Sequence, residues 1–170
     1  RTLAVLLLAW FINLYNFMDG IDGITSMETV CITFGILLLA YLGSLPMFLG
    51  YWSLLVMFAA LGFLFFNWHP AKIFLGDSGS VPLGLIVGWL LLKTSAEGAY
   101  FSALILPLYY LIDSGFTLGR RIVAGHKPWE AHREHIYQKT VQRGARHSQV
   151  VLIIGKINVG LLMMALIADY

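Results

Sequence analysis

Polar residues recur every three positions at the end of an apolar run near the start of the chain. In "NLYNFMDGIDG" they are Asn13, Asn16, Asp19 and Asp22. A further carboxylate, Asp77, lies in "FLGDSGS", directly before another apolar run. Carboxylate and amide oxygens are the hard ligands that Mg²⁺ and Mn²⁺ prefer, whereas zinc sites favour Cys and His. The two stretches therefore predict an oxygen-rich divalent cation site.

A third polar stretch, residues 119–149, is rich in Arg, Lys and His, which bind phosphate by charge and forked hydrogen bonds. A cation site together with an anion-binding segment predicts metal-assisted phosphoryl transfer. Each stretch alone has a plainer interpretation, because Asp, Gly and Ser form turns and helix caps and basic loops often serve membrane topology. It is their joint occurrence that favours a functional site.

Apolar helices must position these residues. Of the 170 residues 59% are hydrophobic and 12% are charged, whereas soluble domains carry about 25% charged residues. The long apolar runs indicate helices in contact with lipid. We predict an all-α, polytopic transmembrane helical bundle of about six segments, at residues 3–15, 26–42, 51–66, 81–92, 100–118 and 150–168.

Alternating the loops between the two sides of a membrane places all three polar stretches on the same side. That side holds eight of the eleven Lys and Arg residues: Lys72, Arg120, Arg121, Lys127, Arg133, Lys139, Arg143 and Arg146. By the positive-inside rule this side is cytoplasmic. The carboxylates stand at segment ends, whereas an ion-coupled transporter, the main alternative, would place them near the bilayer midplane.

The first apolar run is short for a membrane span. About a dozen residues precede Asn13, which gives a helix of roughly 18 Å against a hydrocarbon core of about 30 Å. The chain also begins with Arg1. We expect residues 1–170 to form one membrane-embedded domain that is the C-terminal half of a longer protein.

Three segments resemble one enzyme family. "NLYNFMDGIDGI" resembles the N-x-x-N-x-x-D-G-x-D-G segment of the polyprenyl-phosphate N-acetylhexosamine-1-phosphate transferases of glycosyltransferase family 4. "LGFLFFNWHPAKIFLGDSGSVPLG" resembles their N-x-x-P-A-x-x-F-x-G-D-x-G-S segment, and "HREHIYQ" resembles the His-containing loop of members that start O-antigen and related surface polysaccharides. The resemblance implies transfer of sugar-1-phosphate from a UDP-sugar to polyprenyl (undecaprenyl) phosphate, with UMP as the second product.

The resemblance also implies a role for individual residues. Asp77 matches the metal-binding Asp, Asn16 the Asn that shares the Mg²⁺, and Asp19 and Asp22 the acidic pair around the nucleotide-sugar site. The catalytic set is thus Asp77, Asp19 and Asp22, and the cofactor is Mg²⁺, with Mn²⁺ as an alternative. Residues expected to contact the diphosphate and sugar are Lys72, placed by its position before the Asp77 motif, and His132, Arg133 and His135.

The sequence departs from the family pattern in two ways. The family's Asp-Asp motif, implicated in handling the lipid phosphate, is absent, which leads us to expect that this chain alone is inactive. The loop reads His-Arg-Glu-His and not as a His-rich triplet, which disfavours the related phospho-muramyl-pentapeptide transfer without excluding it. We expect a bacterial inner-membrane location with the site on the cytoplasmic face, contact with the lipid bilayer and no nucleic-acid partner. A homodimer is left open.

Overall fold

The computed structural model describes residues 2–125, 127 and 133–169. These residues form eight helices and no strand: α1 Thr2–Phe17, α2 Ile24–Tyr41, α3 Met47–Asn67, α4 Gly76–Ala96, α5 Tyr100–Ile105, α6 Leu108–Val123, α7 Ile136–Gln142 and α8 His147–Ala168. Four of them, α2, α3, α4 and α8, are long and apolar enough to cross a membrane, and α1 is a shorter apolar helix. The prediction of a polytopic helical bundle is confirmed, and the chain is an integral membrane protein.

Most helix boundaries lie a few residues from the predicted ones, and three differences matter for the site. Helix α4 begins at Gly76, five residues before the predicted start, so that Asp77 lies in its first turn. The segment predicted at 100–118 is divided into α5 and α6 around Pro107, because proline has no N–H to continue the helical hydrogen bonds. Helix α7 was not predicted, since it lies within the polar stretch at 119–149.

Helices α1 and α4 pack closely because α4 presents glycines to α1. A Cβ atom on Gly84 would lie 3.2 Å from the Cα of Ile12 and 2.9 Å from the Cβ of Tyr15. A Cβ on Gly88, one turn further along, would lie 2.7 Å from Leu8. Small residues four positions apart allow two membrane helices to bring their backbones together. The first turn of α4 is therefore held against the last turn of α1.

Helix α2 carries a buried polar face that contacts three other helices. The hydroxyl of Tyr15 lies 2.7 Å from Oγ1 of Thr29, and the hydroxyl of Tyr110 donates to Oγ1 of Thr25 at 3.2 Å. Further along α2, Glu28 Oε2 accepts a hydrogen bond from Asn158 Nδ2 of α8 at 2.5 Å. Polar groups away from water need partners within the protein, and these pairs tie α2 to α1, α6 and α8.

The loops separate into two groups at opposite ends of the bundle. The loop after α1, the loop after α3 and the start of α8 meet at one end, where Asp22 contacts His69 and His147. At the other end Asp169, which follows α8, accepts a hydrogen bond from the backbone N–H of Ser102 in α5 at 2.8 Å. This grouping agrees with the alternating placement of the loops expected from the sequence.

Candidate active site

A cavity of about 320 Å³ lies at the end of the bundle where the polar loops meet. Residues 19–22, from the loop after α1, form one wall, and Asn67 and residues 74–76, from the end of α3 and the segment before α4, form another. His147, the first residue of α8, completes the lining. Three segments that are far apart in the sequence therefore meet around one cavity, and each contributes polar or charged side chains or backbone to its lining.

Asn67 links the two main walls of the cavity. Its side-chain Oδ1 accepts a hydrogen bond from the Gly23 N–H at 2.9 Å, and its Nδ2 donates to the Ile73 carbonyl at 2.9 Å. Gly23 has a φ of 80°, in the left-handed region where a side chain would be strained. The buried Asn67 amide thereby fixes the turn that carries Asp22 relative to the segment before Asp77.

The ends of α1 and α4 bring Asn16, Asp19 and Asp77 together. Ser80 Oγ at the start of the second turn of α4 donates to Asn16 Oδ1 in the last turn of α1 at 2.5 Å. Asp77 lies one turn before Ser80 and is exposed. Burial raises the pKa of Asp19, a hydrogen bond with Thr25 opposes this, and the negative charge of Asp77 raises it further. Asp19 and Asp77 are thus close enough for their charges to interact.

Asp22 is held by groups from two other segments. Its Oδ2 lies 2.6 Å from Nδ1 of His69 and 3.2 Å from Nδ1 of His147, and it accepts a hydrogen bond from the Ala71 N–H at 3.3 Å. Burial alone would raise the pKa of Asp22, but these interactions outweigh it, and the pKa lies below its ordinary value. Asp22 is therefore a carboxylate at neutral pH.

The basic residues expected to contact substrate have different surroundings. Lys72 and Arg133 are exposed, and the Lys72 N–H donates to the Phe66 carbonyl at 2.8 Å. His135 is buried, with its Nδ1 3.2 Å from Asp113 Oδ1, so its contact with substrate stays a prediction. His132 lies outside the described residues.

The buried carboxylate of Asp113 in α6 anchors the start of α7. Its Oδ1 accepts a hydrogen bond from the Ile136 N–H at 3.0 Å, in addition to its contact with His135. A carboxylate that accepts the first N–H groups of a helix stabilises that helix start. Tyr137 in α7 then reaches the end of α1, where its hydroxyl donates to the Phe17 carbonyl at 3.3 Å.

Two ion pairs hold the segment before α7. Glu134 accepts hydrogen bonds from Arg120 at 2.7 Å and from Arg121 at 2.6 Å, both at the end of α6. The bonds from Arg121 and Arg120 outweigh a small burial effect and lower the pKa of Glu134 below its ordinary value. Part of the basic stretch is thus fixed next to the cavity by contacts with α6.

Sequence reasoning missed three residues of the site: Asn67, His69 and His147. Asn67 and His69 lie in the quoted segment "NWHPAKIF", where their polarity beside an apolar helix was a signal. His147 gave no comparable signal, because 125 residues separate it from its partner Asp22. Only the fold brings these two residues together.

Comparison with known proteins identifies the relatives of the chain. The model of glycosyl transferase family 4 matches residues 1–95, which include Asn16, Asp19, Asp22 and Asp77. The probable undecaprenyl-phosphate N-acetylglucosaminyl 1-phosphate transferase of Bacillus subtilis is 33% identical over 156 residues, which cover 89% of this chain and 43% of the relative. The decaprenyl-phosphate N-acetylglucosaminephosphotransferase of Mycolicibacterium smegmatis is 33% identical over 168 residues, which cover 84% of this chain and 41% of the relative.

A relative with a different substrate in its name is also similar. The phospho-N-acetylmuramoyl-pentapeptide-transferase of Moorella thermoacetica is 40% identical over 100 residues, which cover 56% of this chain and 30% of the relative. The chain therefore spans less than half the length of these three curated relatives. Since the family model covers more than half of the chain and includes the acidic end of the helical bundle, this chain belongs to glycosyl transferase family 4.

Proposed function

We propose that the protein transfers a sugar-1-phosphate, N-acetylhexosamine-1-phosphate, from a UDP-sugar to polyprenyl phosphate. The products are polyprenyl-diphosphate-sugar and UMP, and the reaction starts a cell-surface polysaccharide. One observation carries the proposal: the contact between Asn16 and Ser80 brings the oxygen-rich ends of α1 and α4 together beside a cavity that Asp19 and Asp22 help to line. The names of the relatives from Bacillus subtilis and Mycolicibacterium smegmatis support the substrate class.

The reaction needs no covalent bond to the protein. An ionised phosphate oxygen of the lipid attacks the β-phosphorus of the UDP-sugar and forms a new P–O bond. The bond from that phosphorus to the oxygen bridging the two phosphates breaks, and UMP leaves with this oxygen and its electron pair. Catalysis of such a transfer consists mainly of positioning the two phosphates and compensating their charge.

Asn16 and Asp77 would hold Mg²⁺, or Mn²⁺ in its place. The chemistry of the donor set fits, because the Asn16 amide and the carboxylates of Asp77 and Asp19 offer hard oxygen atoms at the adjoining ends of α1 and α4. When bound, the ion compensates the negative charge of the diphosphate and of the departing UMP. Asp19 and Asp22 border the cavity in which we place the nucleotide-sugar.

Exposed cations near the cavity would contact the phosphates. We assign Lys72 and Arg133 to this role, since both side chains are exposed and the segment 133–142 is anchored beside the end of α1. His132 and His135 belong to the same basic segment and are proposed to contribute to substrate binding. The excess of Lys and Arg on this end supports a cytoplasmic site in the bacterial inner membrane.

A muramyl-pentapeptide substrate is the second candidate, favoured by the similarity to the Moorella thermoacetica relative. Both reactions use the same phosphoryl chemistry, so the cation site does not distinguish them. The two substrates are distinguished by supplying either a UDP-N-acetylhexosamine or UDP-N-acetylmuramoyl-pentapeptide to the same preparation. We expect lipid-dependent UMP release with the first sugar nucleotide.

The experiment that tests the function is a transferase assay on the full-length protein in membranes. We expect Asp77→Asn and Asn16→Ala to lower Mg²⁺-dependent UMP release about 10²-fold to 10³-fold, the effect of removing one charge-stabilising group. Asn13→Ala is the matched control, because the Asn13 amide is exposed and bonds only to Ala9 of its own helix among the described contacts. Undiminished release by Asp77→Asn would contradict the assignment.

A further inference from the structure

Asp22, His69 and His147 bring three potential metal-binding atoms together at the edge of the cavity. The donor atoms all lie within 4.8 Å of one another, and each comes from a different segment of the chain. Asp22 Oδ2 lies 2.6 Å from Nδ1 of His69 and 3.2 Å from Nδ1 of His147. The two imidazole rings lie with their centroids 4.8 Å apart. Nothing in the proposed phosphoryl-transfer mechanism uses the two histidines.

Two hydrogen-bond acceptors of this cluster, Nδ1 of His147 and Oδ2 of Asp22, face each other. The Asp22 N–H donates to Nδ1 of His147 at 3.3 Å, so this nitrogen acts as an acceptor. The same nitrogen lies 3.2 Å from Asp22 Oδ2, which is also an acceptor. One ring nitrogen cannot accept from the backbone and donate to the carboxylate at the same time. A cation bound by both His147 Nδ1 and Asp22 Oδ2 would turn the approach of these two acceptors into a favourable contact, at the expense of the long 3.3 Å hydrogen bond from the Asp22 N–H.

We propose that Asp22, His69 and His147 form a binding site for a transition-metal dication, Zn²⁺ in particular. Two imidazoles and one carboxylate are a borderline-soft set that suits zinc and is unlike the oxygen set of Asn16 and Asp77. Zinc–ligand distances of 2.0–2.2 Å place tetrahedral ligands about 3.3–3.6 Å apart, and the observed 3.2 Å between Asp22 and His147 lies just below this range. The 2.6 Å contact between His69 and Asp22 would have to open by about 0.7 Å or more for both side chains to bind the same ion.

The site is accessible from the aqueous phase. The side chains of His69 and His147 are 34% and 29% exposed, whereas that of Asp22 is 11% exposed. Asp22 and His147 both line the cavity, so a fourth coordination position faces it and is open to water or to a phosphate oxygen. The metal site itself stands on this geometry alone. Its expected effect on turnover, inhibition by occupying Asp22, rests on the proposed function.

Cobalt is a suitable probe, because Co²⁺ accepts the same ligands as Zn²⁺ and absorbs visible light when bound. We expect the purified full chain, in excess Mg²⁺, to bind one Co²⁺ with a visible absorption band that Zn²⁺ abolishes. His69→Gln and His147→Asn keep polar side chains and are expected to weaken Co²⁺ binding at least about tenfold. Asp77→Asn is the control that leaves the band unchanged.

Three results would overturn the metal site: no visible band in the unaltered protein, a band that both histidine variants retain, or a band lost in Asp77→Asn. Melting curves show that each variant is folded before it is titrated. The transferase assay is a separate measurement. Loss of activity in Asp77→Asn with an intact cobalt band supports both sites. A cobalt band in an unaltered protein that has no transferase activity rejects only the proposed function. Failure of micromolar-range Zn²⁺ to inhibit an active preparation rejects only the regulatory effect.

Discussion

The contact between α1 and α4 at Gly84 offers a direct test of how the site is positioned. We predict that Gly84→Ala separates these helices, because the new Cβ would lie 2.9 Å from the Cβ of Tyr15 and 3.2 Å from the Cα of Ile12. Carbon atoms pack at about 3.5–4.0 Å, so α1 must retreat by roughly 0.6 Å or more. Neither neighbouring atom is the end of a flexible side chain, so the backbone itself must move.

The retreat of α1 has consequences for stability and for turnover. Inserting a methyl group into a packed contact costs about 1–3 kcal/mol of the free energy of unfolding. The hydrogen bond from Ser80 to Asn16, at 2.5 Å, lengthens as α1 moves, and a misplacement of about 1 Å can lower a rate about 100-fold. We therefore expect a lower melting temperature and UMP release reduced by about 10-fold to 100-fold.

Gly62→Ala is the matched control for this experiment. Gly62 lies within α3, and a Cβ at this position would meet no described atom within 4 Å apart from its chain neighbours and the backbone of its own helix. Alanine is favoured over glycine in a helix by up to about 1 kcal/mol, so this variant keeps its activity and is at least as stable as the original protein. Unchanged melting and unchanged turnover in Gly84→Ala would refute the argument that close packing of α1 and α4 sets the site geometry.

Two further predictions concern ionisable groups. The pKa of Asp22 is lowered in the folded protein, so its ionised form stabilises the fold fully above the ordinary carboxyl pKa, and this stabilisation is lost as pH falls through the lowered value. Melting curves in metal-free buffer below pH 4 should therefore show a smaller acid-induced fall in melting temperature for Asp22→Asn than for the original protein. In the second prediction, Glu28→Gln preserves the melting temperature, because the new amide can pair with both polar atoms of the Asn158 side chain. Glu28→Ala leaves the buried Asn158 amide without its described partner and should lower the free energy of unfolding by about 1–3 kcal/mol. Equal melting temperatures of the two variants would contradict this pairing.

The sequence predicted the main helices because lipid-facing segments must be apolar along their whole length. Composition does not locate helix ends that extend beyond the apolar region. The start of α4 contains Gly76, Asp77 and Ser80, whose polarity indicates a loop, although these residues belong to the helix. The break at Pro107 was likewise missed, because the apolar run continues through it without a polar signal.

The candidate site was predictable to the extent that its residues lie in compact sequence patterns. Asn16, Asp19 and Asp22 recur every three residues, and Asp77 stands in a Gly-rich segment, so their positions were found without coordinates. The clustering of His69 and His147 around Asp22 depends on side-chain directions in three separate segments. No local pattern encodes such a contact, and it requires the packing of α8 against the loops.

The glycine contact between α1 and α4 links the spacing of the proposed cation ligands to the tilt of these two helices in the surrounding lipid. Asn16 lies in α1 and Asp77 in α4, and these two helices are in close contact at Gly84 and Gly88, within the apolar part of the bundle. A thinner or thicker bilayer changes how strongly such helices tilt. Membrane composition would thereby adjust the catalytic geometry without any contact between a lipid and the site.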